Sequence, residues 1–297
     1  MKNISIVIPL APDRRLDIKD SLLKDKNKIH LIVEKGANPS RNRNKGIKKA
    51  KTEFIAFLNA HSILTENWPE KVKEFFEAHP EIDIVGGPQL TSKNDPFFER
   101  ASGYALSSIF GAAEASTRYR IKKLNLEANE KHLTSANLIC REKVFKKIKF
   151  DENLWPGEDP KFISDAINAG FNVAYSPDII IYHKRRPTFR ALSKQIFNYG
   201  FTRTRKEKFG ETLKKPAFLV PSMFVIYLVI LPTLMVFNLI FLFPVIIYII
   251  LSIIFSLYEG IKNKDFKIIF ILPFIFLTLH ITYGVGFIYG LIVEKNG

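Results

Sequence analysis

Charge is what the last third of this sequence lacks: residues 216–258 contain no Asp, Glu, Lys or Arg. Cysteine is almost absent as well. The single Cys140 excludes an intrachain disulfide framework and any CxxC metal site. Acidic residues are short against basic ones, 29 to 44, leaving a formal charge of +15. The first apolar run, residues 4–8, is too short for a signal peptide and is followed at once by Pro9, Asp13, Arg14 and Arg15. The domain that follows is therefore expected to stay on the cytoplasmic side.

As one helix, the charge-free run would be about 65 Å long, twice a bilayer core. It has to turn back on itself, and Pro232, Asn238 and Pro244 lie where a helical hairpin wants them. A further uncharged stretch follows a lysine-bearing loop at 259–267. Three transmembrane helices are predicted, at about 216–236, 238–258 and 268–293, within a segment 216–293. Ahead of them, residues 184–215 hold eleven Lys or Arg against Glu207 and Glu211. This basic segment, 183–215, is a juxtamembrane collar. By the positive-inside rule it places the chain as a multi-pass protein of the plasma membrane with its first domain cytoplasmic. The same charge suits nucleic acid, but no nucleic-acid motif accompanies it, so no nucleic acid is expected as a partner.

Residues 1–182 read as one α/β domain. Strands are predicted at 4–8, 29–33, 53–58 and 82–85. Helices are predicted at Leu16–Leu23, Ser40–Lys51 with Ser40 as N-cap, and Asn67–Ala78. Alternation of this kind predicts a doubly wound, mainly parallel sheet with ligands beyond the carboxyl ends of its strands. A longer helix is expected over about 95–120, its aromatic face either core or membrane-facing. An amphipathic interfacial helix is expected over 187–200. Gly284, Gly286 and Gly290 in the last span suit close helix packing. His280 in the same span suits a hydrogen bond between helices.

Four constellations carry candidate chemistry. Asn59-Ala60-His61 closes a predicted strand, and His183 follows the apolar run 179–182; either histidine is a metal ligand or an ordinary strand-end residue. Glu158-Asp159 opens a helix after a Pro/Gly-rich loop, as a helix cap or as a catalytic pair. The basic stretch 38–46 leads into a helix whose N-terminus suits a phosphate.

The order and spacing of "ISIVIP", "HLIVEKG", "NPSRNRNKGIKKAKTEFIAFLNAHS", "SANLICREKVF", "WPGEDPKFISDAINAGFNVAYSPDIIIYHKRR" and "QIFNYG" resemble successive blocks of family 2 glycosyltransferases. The likeness runs over about residues 3–205 and is strongest to the membrane-attached, succinoglycan-type branch. It implies a GT-A fold and inverting transfer of one sugar from a nucleotide-sugar donor, with a divalent cation, Mn²⁺ or Mg²⁺, at the diphosphate. Asp159 matches the catalytic base and Glu158 its support. Pro9, Asp13, Glu34, Arg43 and Asn44 match donor-binding positions, and Ser135 and Asn137 a block near the sugar. Asn59, His61 and His183 match the metal positions, with Asn59 standing where the family carries Asp. A neutral amide oxygen there weakens a hard-cation site, and two imidazoles favour Mn²⁺. The QxxRW of processive synthases is absent, since Gln195 is followed by Ile196-Phe197-Asn198-Tyr199. The expected acceptor is a lipid-linked, polyprenyl-phosphate type or other glycan. Two rival expectations are a catalytically silent subunit of a glycan-assembly complex and a polyprenyl-phosphate monoglycosyltransferase.

Overall fold

The computed structural model describes residues 4–16, 29–206, 212–213 and 216–294. The helix expected at Leu16–Leu23, part of the basic collar and the extreme C-terminus lie outside the described residues. The chain divides into two compact units, Met1–Ser92 with Thr117–Lys184, and Lys93–Ser116 with Arg185–Gly297. The single domain expected over 1–182 thus gives up residues 93–116, which group with the C-terminal helices.

The first unit is built on a six-stranded sheet of order β2-β1-β3-β7-β5-β8. Its strands are β1 (Ile4–Leu10), β2 (Ile29–Lys35), β3 (Phe54–Leu58), β5 (Ile84–Gly86), β7 (Asn137–Arg141) and β8 (Val173–Tyr175). β1 pairs in parallel with β2 and β3, and β5 with β8; β7 runs antiparallel to both β3 and β5. The sheet is parallel-dominated, as the alternation predicts, with one reversed strand that the short apolar run 137–141 did not reveal. Strand period 2 sorts its side chains onto two faces. Ile4, Ile6, Ile8, Phe54, Ala56 and Leu58 join Trp68, Val72, Phe75 and Phe76 in one core. Val7, Ile55, Phe57, Leu138 and Cys140 join Phe145, Phe150, Phe162 and Ile163 in the other. Cys140 is thus a buried apolar residue, and burial pushes its thiol well above the ordinary range.

Three helices flank this sheet. α1 (Pro39–Lys49) is capped by Asn38, whose side chain accepts from Arg41 N, and has Lys48 and Lys49 in its last turn. Asn38, not Ser40, is the cap because Pro39 takes the first helical position, where its missing N–H costs nothing. α2 (Trp68–Ala78) lays Trp68, Val72 and Phe76 on the first face. α5 (Glu158–Asn168) turns Phe162, Ile163 and Ala166 to the second. A small second sheet, of order β4-β9-β6, joins β4 (Ser62–Leu64), β9 (Ile181–His183) and β6 (Gln89–Leu90).

The other unit contains α3 (Phe97–Ser107), α4 (Ile109–Ala112), α6 (Phe189–Lys206), α7 (Val220–Phe237), α8 (Phe243–Asn263) and α9 (Leu272–Glu294). The continuous helix expected over 95–120 is broken at Ser108, whose extended backbone ends α3; the chain then tightens to 3-10 turns at Ala113–Tyr119. Val220–Phe237, Leu239–Asn263 and Leu272–Val293 are each long and apolar enough to cross a membrane. α6 is longer than the predicted interfacial helix and packs along α9. Phe197 and Phe201 lie against Tyr289, and Gly290 sits under Phe201 O and Thr204. The glycines of α9 therefore serve close packing. His280 meets Phe110 O at 2.8 Å and Tyr248 Oη at 2.9 Å. A carbonyl can only accept, so Nε2 carries the proton and Nδ1 accepts from the tyrosine.

Gly87 separates β5 from β6, and a Cβ there would collide with the Ile179 carbonyl, which is backbone and cannot swing away. Gly87→Ala is expected to destabilise the first unit by about 1–3 kcal/mol. The readout is thermal unfolding followed by tryptophan fluorescence, since both tryptophans, Trp68 and Trp155, belong to this unit.

Candidate active site

The carboxyl ends of β1, β2 and β3 lie on one edge of the sheet, and antiparallel pairing brings the start of β7 to that edge through Leu58↔Asn137. Pro9, Glu34 and Asn137 belong to strands that meet there, and His183 belongs to the small sheet.

The tightest cluster is Arg43, Glu158, Asp159 and Ser135. Gly157 introduces α5 at φ 113, a left-handed backbone that glycine adopts without strain. The two carboxylates then occupy the first helical turn, where the peptide dipoles favour negative charge. Arg43 Nη1 lies 2.7 Å from Glu158 Oε1 and 3.8 Å from Asp159 Oδ1. Asp159 accepts twice from Ser135, from Oγ at 2.7 Å and from the backbone N at 3.2 Å. The side chains of Arg43 and Glu158 are 5% and 6% exposed, whereas Asp159 is 19% exposed. Of the two carboxylates, Asp159 is the one more open to solvent. Arg43, whose guanidinium also lies over the Phe150 ring, is buried against the carboxylates.

Burial, and next the charge of Asp159, push the Glu158 carboxyl up to about 7 despite the opposing pull of Arg43.

A second cluster joins β3, β4 and β9. Ser62 pairs with His183 across the small sheet. Asn59 Nδ2 is 3.0 Å from His183 Nε2, and the His61 and His183 rings are 4.5 Å apart at their centroids. Two imidazoles and one amide thus converge from two segments, 59–61 and the end of β9. Among the described residues, no group of three His, Cys, Asp or Glu is placed to hold a metal ion. Any cation here must take Asn59 as a ligand, or oxygens from a bound molecule.

The remaining predicted residues hold the frame. Asn137 is buried, accepting from Trp68 Nε1 at 3.4 Å and donating to Ile179 O at 2.7 Å. Asn44 donates to Phe150 O and Glu152 Oε1 and accepts from Phe150 N, stitching α1 to the segment before α5. Glu34, opposite Pro9 in the β1–β2 register, is largely buried and ion-paired with Lys49 at 2.5 Å. Asp13 is exposed in the turn after β1. The sequence reading missed two things. Trp155, two residues before Gly157, is 61% exposed, an aromatic surface ahead of the carboxylates. Glu152 gathers Arg41 and Asn44, and those hydrogen bonds hold its carboxyl low. An apolar ring in a polar loop was a signal for the first; nothing local signalled the second.

A carboxyl raised in the folded state binds a proton that the unfolded chain has already released. Stability contributed by that proton is complete below about pH 4.5 and is lost as pH rises through about 7. Tryptophan-detected melting should accordingly fall between pH 5 and 7.5 in the wild type, with a flatter profile in Glu158→Gln. Parallel profiles would show that Glu158 is already ionised throughout.

Comparison with known proteins agrees with this architecture. Residues 10–149 match the family model described as glycosyl transferase family 2. The minor teichoic acid biosynthesis protein GgaB of Bacillus subtilis is 29% identical over 158 residues, 52% of this chain and 16% of that protein. An uncharacterized glycosyltransferase of Methanocaldococcus jannaschii is 26% identical over 146 residues, 49% of this chain and 46% of the relative. This chain therefore spans less than half the length of either relative. Among solved structures, the mannosyltransferase PcManGT of Pyrobaculum calidifontis, in complex with GDP-Man and Mn²⁺, superposes with a TM-score of 0.61. It is 11% identical and covers 98% of this chain and 88% of its own, a likeness of fold. With a parallel-dominated sheet and a carboxylate pair at its carboxyl edge, residues 10–149 of this chain form a domain that matches glycosyl transferase family 2.

Proposed function

We propose that this chain is a membrane-attached, inverting glycosyltransferase that moves one sugar from a nucleotide-sugar to a lipid-linked, polyprenyl-phosphate type or other glycan acceptor. The observation that carries the reading is the partly exposed Asp159, fixed by Ser135 beside the buried Arg43–Glu158 pair. Inverting transfer is a single displacement: the acceptor oxygen attacks the anomeric carbon, its proton goes to a base, and the nucleoside diphosphate leaves. Asp159 is the base. Ser135 fixes both carboxylate oxygens, so one lone pair can meet the incoming hydroxyl without a search over rotamers. Arg43 and Glu158 act through Asp159, setting its charge and position. The exposed Trp155 offers a face for a sugar ring.

For the donor, Pro9, Asp13 and Glu34 line the carboxyl ends of β1 and β2, where a nucleotide fits in sheets of this kind. Asn59, His61 and His183 would hold a divalent cation together with diphosphate oxygens; a bound cation would neutralise the leaving group. This donor set, two imidazoles and an amide, suits Mn²⁺ better than Mg²⁺. PcManGT, whose fold this chain shares, was captured with GDP-Man and Mn²⁺. Three helices able to cross a membrane support attachment at the plasma membrane, with the first unit cytoplasmic. Attachment raises the effective concentration of a lipid-linked acceptor.

Asp159→Asn should lower turnover about 10²- to 10⁴-fold, the usual worth of a general base, with nucleotide release in native lipid extract as the assay. Unchanged turnover would remove Asp159 from the mechanism. A second reading, a silent subunit that binds a sugar nucleotide without transfer, rests on Asn59 in place of an acid. Asn59→Asp is expected to tighten Mn²⁺ binding, measured by calorimetry in the presence of nucleoside diphosphate. If it also creates turnover in a wild type that has none, the silent reading holds.

A further inference from the structure

The unit containing the apolar helices has a cationic cavity that the transfer reaction does not use. It has a volume of about 530 Å³ and is lined by residues from two segments: Lys93, Arg100 and Tyr104 around α3, and Asn263–Lys267 in the turn between α8 and α9. Arg100 is already held, donating to Asp265 at 2.9 Å and to Asp95 O at 2.8 Å. Lys93, Lys264 and Lys267 are exposed and have no carboxylate partner among the described residues. Three ammonium groups around one hollow repel one another, and an anion between them removes that repulsion. Tyr104 adds a hydroxyl, and burial, with Asp265 next, raises its phenol so that it stays a donor.

Lys264 strengthens the case. It caps α8 in the left-handed region, at φ 54, a place that glycine or asparagine ordinarily takes. A lysine there carries a conformational cost that capping alone does not explain. Phe266, 63% exposed, lines the cavity, and Phe270, 80% exposed, ends the same short 3-10 turn Phe266–Phe270, beside helices able to cross a membrane. Lysines inside and phenyl groups outside fit a ligand with a phosphate at one end and hydrocarbon at the other.

We propose that this cavity binds the phosphate headgroup of an anionic membrane phospholipid, with Lys93, Lys264 and Lys267 around the phosphate and Phe266 and Phe270 against its acyl chains. The inference rests on the membrane attachment proposed above. Soluble phosphates lack the hydrocarbon that an exposed phenyl group beside apolar helices would cover.

The test uses the full chain in nanodiscs of phosphatidylcholine with a minor fraction of phosphatidylglycerol, with retained lipid counted by native mass spectrometry. The wild type is expected to retain phosphatidylglycerol preferentially. Lys264→Gly with Lys267→Gln should reduce that retention about tenfold or more, since each lysine near an anionic surface contributes about 1 kcal/mol. Lys51→Gln with Lys143→Gln, in the other unit, should leave it unchanged. Lys264→Gly alone separates the roles: a pure cap predicts a higher melting temperature and unaltered lipid retention, whereas a ligand predicts weaker retention despite the relieved backbone. Equal retention in wild type and the Lys264/Lys267 variant overturns the proposal. Equal loss in the control variant, or displacement of the lipid by soluble glycerol phosphate at matched concentration, does the same. Failure of the chain to enter the bilayer overturns the membrane reading along with it.

Discussion

The site depends on one buried ion pair. Arg43 comes from α1 and Glu158 from α5, more than a hundred residues apart, and they meet at 2.7 Å with almost no solvent. Removing Glu158 would leave the Arg43 guanidinium, which cannot shed its proton, poorly compensated in low dielectric, an effect of about 3–5 kcal/mol. The pair therefore fastens two helices on one face of the sheet and holds the start of α5 in place. Asp159, next in the chain, inherits its position from that fastening and from Ser135 at the start of β7. Asn44 repeats the connection one residue further along α1, through Phe150 and Glu152. Rigidity at the carboxylate thus comes from contacts between distant segments rather than from the loop that carries it.

The paired acids divide their labour by burial. Glu158 is enclosed and carries a raised carboxyl; Asp159 stays partly open and can meet a substrate. The second cluster, Asn59, His61 and His183, contains no carboxylate, so a cation there would depend on diphosphate oxygens for much of its neutralisation. Cation and donor would bind as a linked pair, each weak without the other.

The part of the fold legible in the residues is the part that rests on periodicity. Apolar runs at 4–8, 29–33 and 54–58 became β1, β2 and β3 because strand burial needs little more than alternating or continuous β-branched and aromatic side chains. Charge-free stretches became helices long and apolar enough to cross a membrane because a helix satisfies its backbone hydrogen bonds within the segment itself. The grouping of 93–116 with the C-terminal helices was not legible. Its aromatic residues fit either a soluble core or an apolar bundle, and only partners such as Asp265 for Arg100 and His280 for Phe110 decide between them.

The sequence by itself determined the fold class and the first strands and helices of the sheet, which are properties of local pattern. Tertiary structure alone decided what each of those residues touches. Arg43 and Asn44 read as a phosphate-facing pair in a basic helix start; the fold turns one onto Glu158 and the other onto Phe150 and Glu152. Asn137 reads as a residue near the sugar; the fold buries it between Trp68 and Ile179. The reason is physical: the direction and burial of a side chain depend on strands and helices brought together from far along the chain, and no local spacing encodes that.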